Sequence, residues 1–131
     1  MPSVLIEVRK QHTATIEVDI MNAVNRALHE TFKLLPNDIN TRLMVHEPHR
    51  FQCPPDKSNP ELYTQISISC FAGRTVLTKR ALYKAIVKNL NQVGIPVDHV
   101  FIMLKELPLE NFGIRGGQAA SDVFLGMEVE L

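Results

Sequence analysis

Apolar and polar residues alternate from Val4 to Val8, with Val4, Ile6 and Val8 on one face, and this period of two predicts a strand at the start of the chain. Pro2 has the same parity as that face. After a short turn at Gln11 and His12, Thr13 or Thr15 can cap a helix. Ile16, Ile20, Val24, Ala27, Leu28 and Phe32 then recur at helical spacing, which predicts a helix from about Thr15 to about Lys33, stopped by Pro36. A second strand is expected from Ile39 to His46, with Ile39, Thr41, Leu43 and Val45 on one face, ended by Pro48.

An irregular polar stretch, Pro48 to Pro60, separates this half of the chain from the next. Leu62, Thr64, Ile66, Ile68 and Cys70 then alternate with polar residues as a half-buried strand. Gly73-Arg74-Thr75 makes a turn, Thr75 or Thr78 caps, and Leu82, Ile86, Leu90 and Val93 mark a second helix ended by Gly94 and Pro96. A fourth strand is expected from about His99 to Glu106, with Val100, Ile102 and Leu104 on one face, closed by Pro108. Landmarks recur sixty residues apart: Pro36-Asn37-Asp38 with Pro96-Val97-Asp98, Pro48 with Pro108, Ile6 with Ile66.

Two βαβ motifs are too few for a solenoid, so they are expected to pair in an α+β fold. In it a four-stranded sheet carries both helices on one face. The other face also has apolar side chains, Leu5 and Met103 among them, and association is the simplest cover for it. A single domain over residues 1–131 is expected, with repeat one at about 2–48, repeat two at about 62–108 and a C-terminal tail at 109–131. In the tail, Gly113, Gly116 and Gly117 read as tight turns and Val123 to Leu131 as strand-like.

Lys plus Arg balance Asp plus Glu at 14 each, so nothing in the charge points to nucleic acid or an anionic membrane. A small molecule or a protein is the expected partner. Apolar runs are too short for a membrane span and the start of the chain lacks signal-peptide character, so a cytoplasmic protein is expected. Cys53 and Cys70 are expected as free thiols, Cys70 in the core. His46, His49 and Cys53 lack regular ligand spacing, and Gly113 to Gly117 lacks the strand and helix that flank a dinucleotide loop. Neither metal nor cofactor is expected.

Three residues stand out chemically. If Met1 is trimmed, Pro2 becomes a secondary amine fixed to the start of a buried strand, able to act as base or nucleophile. An apolar site would lower the pKa of that amine and a nearby carboxylate would raise it. Arg74, at a helix start, is either a surface arginine or a fork for a carboxylate, placed where free backbone N–H groups favour an anion. Asp38 is either a turn residue, like its counterpart Asp98, or a functional one.

Pro2, Pro36-Asn37-Asp38, Gly73-Arg74-Thr75, Lys79-Arg80-Ala81-Leu82-Tyr83-Lys84 and Glu110 to Gln118 together resemble the tautomerase superfamily of amino-terminal proline enzymes. Within it the chain looks most like the longer members related to malonate semialdehyde decarboxylase. The resemblance implies a homotrimer with sites near subunit boundaries, in which Pro2 moves a proton, Arg74 holds a substrate carboxylate and Asp38 orients water or a reacting group. It implies keto–enol interconversion of a small 2-oxo acid. The alternatives are a hydratase or decarboxylase of a small 3-oxo acid with protonated Pro2, and a non-catalytic trimeric binding module. Phe112 would wall the site, standing where relatives often have Trp. Arg115 would reach a neighbouring subunit's site or merely cover its surface. Decarboxylase-type members often carry two arginines around the turn, and here Ala72 is followed by Arg74 alone.

Overall fold

Alternating burial along the strands and helical stripes of Ile, Leu, Val and Ala determine how the layers meet. The computed structural model describes residues 2–123. Its first motif is β1 (Ser3–Arg9), α1 (Ala14–Phe32) and β2 (Thr41–His46); its second is β3 (Thr64–Phe71), α2 (Val76–Asn91) and β4 (Val100–Leu107). The strands form one sheet in the order β2-β1-β3-β4. Each motif contributes a parallel pair, and β1 joins β3 antiparallel with Ile6 opposite Ile66. This is the α+β arrangement expected from the sequence.

Val4, Ile6, Val8, Ile66, Ile68 and Cys70 project from the sheet into one core with Ile20, Val24, Leu28, Leu82, Ile86 and Leu90 of the helices. Each such aliphatic side chain contributes about 1.5–3 kcal/mol when fully buried. The opposite face stays partly open: on β4 Phe101 is 46% and Met103 50% exposed, and Met44 is exposed on β2 at the far edge of the sheet.

Both helices begin at a threonine. Thr13 accepts from the Ile16 N–H at 3.3 Å and Thr75 from the Thr78 N–H at 3.2 Å, so α1 starts slightly earlier than the apolar stripe suggests. Strand boundaries shift for local reasons. The Asp38 N–H bonds to the Leu35 carbonyl and the Ile39 N–H to that of Asn37, a turn that consumes the residues expected to open β2. Ile39 is consequently 58% exposed, and Val45 is exposed on the edge strand. Leu62 closes a short helical turn before β3, and His99 closes another before β4.

Past β4, Gly113–Ile114 (β5) and Gln118–Ala119 (β6) pair as a small hairpin. Its turn uses positive φ at Arg115, Gly116 and Gly117, which suits the two glycines and is uncommon for arginine. Of the strand expected from Val123 to Leu131, only Val123 belongs to the described residues. No helix among the described residues is long and apolar enough to cross a membrane.

Candidate active site

One end of the sheet collects the starts of β1 and β2 and the finishes of β3 and β4, because the two parallel pairs run in opposite directions. Ser3 lies opposite Ser69 at the end of the ladder, so Pro2 leads into β1 at the end of the sheet where β3 runs on to Cys70. Pro2 is buried. On the other side of β1 the Val4 N–H bonds to the Asn40 carbonyl at 2.9 Å, which draws the Asp38 to Asn40 segment alongside. Asp38 is half-buried there.

Arg74 arrives from the second motif, in the turn between β3 and α2. It is only 8% exposed. Its guanidinium carbon lies 4.0 Å from the centre of the Phe32 ring, at the last turn of α1, and Nη1 donates to the Phe71 carbonyl at 3.4 Å. Burial pulls this guanidinium below the ordinary arginine value, while the neighbouring Cys70, Glu106 and Asp38 act in the opposite direction. A buried cation of this kind needs compensating partners, and these carboxylates and the aromatic face supply part of them. Among the described residues the buried Arg74 Nε–H has no hydrogen-bond partner, so part of the donor capacity of this planar fork is unmet there.

Behind Arg74 stands a second charged pair. Glu106, at the end of β4, accepts from Lys79 Nζ at 2.5 Å and from the Gly73 N–H at 3.2 Å. Its bond to Lys79 holds the Glu106 carboxyl below the usual carboxylate range, and the same bond raises Lys79. Burial pushes the Cys70 thiol up, with the Arg74 charge opposing that shift, so Cys70 stays a neutral wall at neutral pH.

Of the residues singled out from sequence, Pro2, Asp38 and Arg74 converge on this end of the sheet. Phe112 packs edge-on against the Phe71 ring, ring centres 4.8 Å apart, and it is the carbonyl of this same Phe71 that accepts from Arg74. Arg115 stands exposed at the β5–β6 turn, and its carbonyl accepts from the Gln118 side chain. Sequence reasoning passed over Phe32, Cys70 and Glu106 as site residues. Glu106 carried a signal: it continues the parity of Val100, Ile102 and Leu104, so a carboxylate ends an apolar face. His46 is engaged elsewhere, 3.0 Å from Glu7 and edge-on to Phe51, whose carbonyl also faces the Cys53 thiol.

Known proteins place this geometry in context. The profile of the family described as tautomerase enzyme matches residues 38–115, more than half of the chain. Solved structures agree along most of its length. A malonate semialdehyde decarboxylase inhibited by 3-bromopropiolate is 23% identical with a TM-score of 0.80, covering 89% of this chain and 92% of its own. Another malonate semialdehyde decarboxylase, described with decarboxylase and hydratase activities, is 17% identical with a TM-score of 0.82, covering 93% and 99%. A native fused 4-OT is 22% identical with a TM-score of 0.82, covering 95% and 99%.

Proposed function

The chain belongs to the tautomerase family, and from that premise we propose that it interconverts the keto and enol forms of a small 2-oxo acid. In the chain trimmed of Met1, the Pro2 nitrogen takes a proton from one substrate atom and returns it to another. Arg74 receives the carboxylate. The enolate that forms beside this cation is stabilised as its charge develops, in a site from which Phe32 and Phe71 exclude much of the water. Asp38 orients the reacting group, Phe112 gives the apolar wall, and Arg115 contributes from the hairpin turn.

The observation that carries this reading is that buried Pro2 and a buried Arg74, whose Nε–H has no partner among the described residues, lie at the same end of the sheet. A homotrimer belongs to the proposal. Fused 4-OT structures are described as trimers, and the open face bearing Phe101 and Met103 is apolar enough to need a cover. Light scattering should give three times the chain mass. The similarity to malonate semialdehyde decarboxylases favours a second reading, in which protonated Pro2 and Asp38 promote hydration or decarboxylation of a 3-oxo acid.

The test is ketonisation of phenylenolpyruvate by protein whose intact mass lacks Met1, beside Pro2→Ala. The expected loss in the variant is roughly 10²- to 10⁴-fold with folding and assembly intact. Equal rates in both proteins would overturn the role of Pro2. Inactivity on the enol with turnover of malonate semialdehyde would favour the second reading.

A further inference from the structure

The Gly73–Arg74 turn is held from outside as well as from within. The β3–β4 ladder runs through Cys70 opposite Glu106 and Phe71 opposite Leu107, and the Ala72 N–H extends it by bonding to the Leu107 carbonyl at 3.0 Å. Immediately afterwards the chain swings through Gly73 at a φ of 120°, a conformation that side chains resist. Such a turn has little intrinsic preference for one direction. What holds it is Glu106: Oε2 accepts from the Gly73 N–H, and Oε1 accepts from Lys79 in the opening turns of α2.

We propose that Glu106 is the positioning residue of this site, its two oxygens clamping the β3–α2 turn and the start of α2 to the end of β4 so that Arg74 is aimed where a substrate carboxylate is received. The assignment rests on the reading of Arg74 as the carboxylate holder. Glu106 does not touch substrate; it acts through Arg74. Two features make the clamp more than a surface ion pair. Both carboxylate oxygens are engaged on different elements, so the geometry is fixed in two directions. Glu106 also contributes to the field at Arg74, supporting a charge that burial opposes. Losing the carboxylate would therefore loosen the turn and weaken support for the cation it presents.

Two variants separate the contributions. Glu106→Leu removes both bonds, whereas Glu106→Gln keeps an amide oxygen for the Gly73 N–H and loses the ionic bond to Lys79. In enol turnover, Glu106→Leu should raise KM about tenfold with kcat within about twofold, and Glu106→Gln should recover most of that loss. A fall in kcat with unchanged KM would overturn the proposal.

Independently of turnover, the Arg74 Nε–H resonance can be followed by NMR during titration with pyruvate. Wild type should shift in a saturable way, with the midpoint about tenfold higher in Glu106→Leu and intermediate in Glu106→Gln. Equal midpoints in all three folded proteins would overturn the proposal, as would a wild-type resonance unmoved by pyruvate. Pyruvate binding by a protein inactive on every enol would instead remove the catalytic reading and leave the clamp to be judged by the midpoints.

Discussion

The two ends of the sheet are built from the same βαβ motif running in opposite directions, yet they are chemically unlike. Pairing of Ile6 with Ile66 relates them. Pro2 at one end corresponds to Leu62 at the other, Asp38 to Asp98, and Arg74, just before the Thr75 cap, to His12 just before the Thr13 cap. Asp98 is engaged by its own neighbour, His99 Nδ1, at 2.8 Å. The other ring nitrogen of His99 accepts from the Asn59 N–H at 3.2 Å, which ties the long loop to that end. Because a backbone N–H can only donate, the neutral ring places its proton on Nδ1, toward Asp98.

The other carboxylate is used differently. Asp38 lies in the field of a buried guanidinium supplied by the second motif. His12 can shed its charge when buried, and its pKa is lowered by desolvation against the opposing pull of Glu17. Arginine has no such escape. One end thus holds a carboxylate engaged by its neighbour and a histidine that burial favours as neutral, while the other retains a buried cation.

The largest test of this contrast is on activity. Arg74→Ala should lower kcat/KM for a carboxylate-bearing enol roughly a hundredfold, the loss of a charge-assisted contact, whereas His12→Ala should stay within about twofold of wild type. Comparable losses in both would break the distinction between the ends. Next in size is the shared centre. Ile6→Ala and Ile66→Ala, both fully buried and facing each other across the sheet, should each destabilise by about 2–5 kcal/mol in urea unfolding.

Smaller effects sharpen the comparison. Thr13→Ala and Thr75→Ala should each cost about 1 kcal/mol through loss of a helix cap. Only Thr75→Ala should also raise KM, if Arg74, which Thr75 follows, holds the substrate carboxylate as proposed. Least in size is a pH effect at the opposite end. Since the folded value of His12 lies below its ordinary value, its contribution to stability is present in full above pH of about 6.5 and is lost as pH falls through the lowered value. Unfolding midpoints between pH 7.5 and 5, buffered at about constant ionic strength, should decline less steeply in His12→Gln than in wild type.

Much of the architecture was legible because it follows from local rules. Alternation at Val4, Ile6 and Val8 and helical spacing at Ile20, Val24 and Leu28 located β1 and α1, and the threonines before each helix acted as caps. Boundaries failed where local polar bonding overrode hydrophobic spacing. Ile39 fits the strand face by parity, but the turn built on Leu35 and Asn37 keeps it out of the ladder. Arg74 was recognisable as a candidate from its place before α2. Its burial against Phe32 was not, since those residues belong to different motifs and meet only after the helices pack.

By itself, then, the sequence determined the elements, their apolar faces and the presence of Pro2, Asp38 and Arg74, because strand alternation, helical periodicity and capping operate over a few residues. Tertiary structure decided which of these groups gather at one end of the sheet. Antiparallel pairing of β1 with β3 brings the start of β1 to the end of β3, packing of α1 against α2 sets Phe32 beneath Arg74, and the end of β4 delivers Glu106 to the Gly73 turn. Those encounters depend on register and burial between distant segments, which no local pattern specifies.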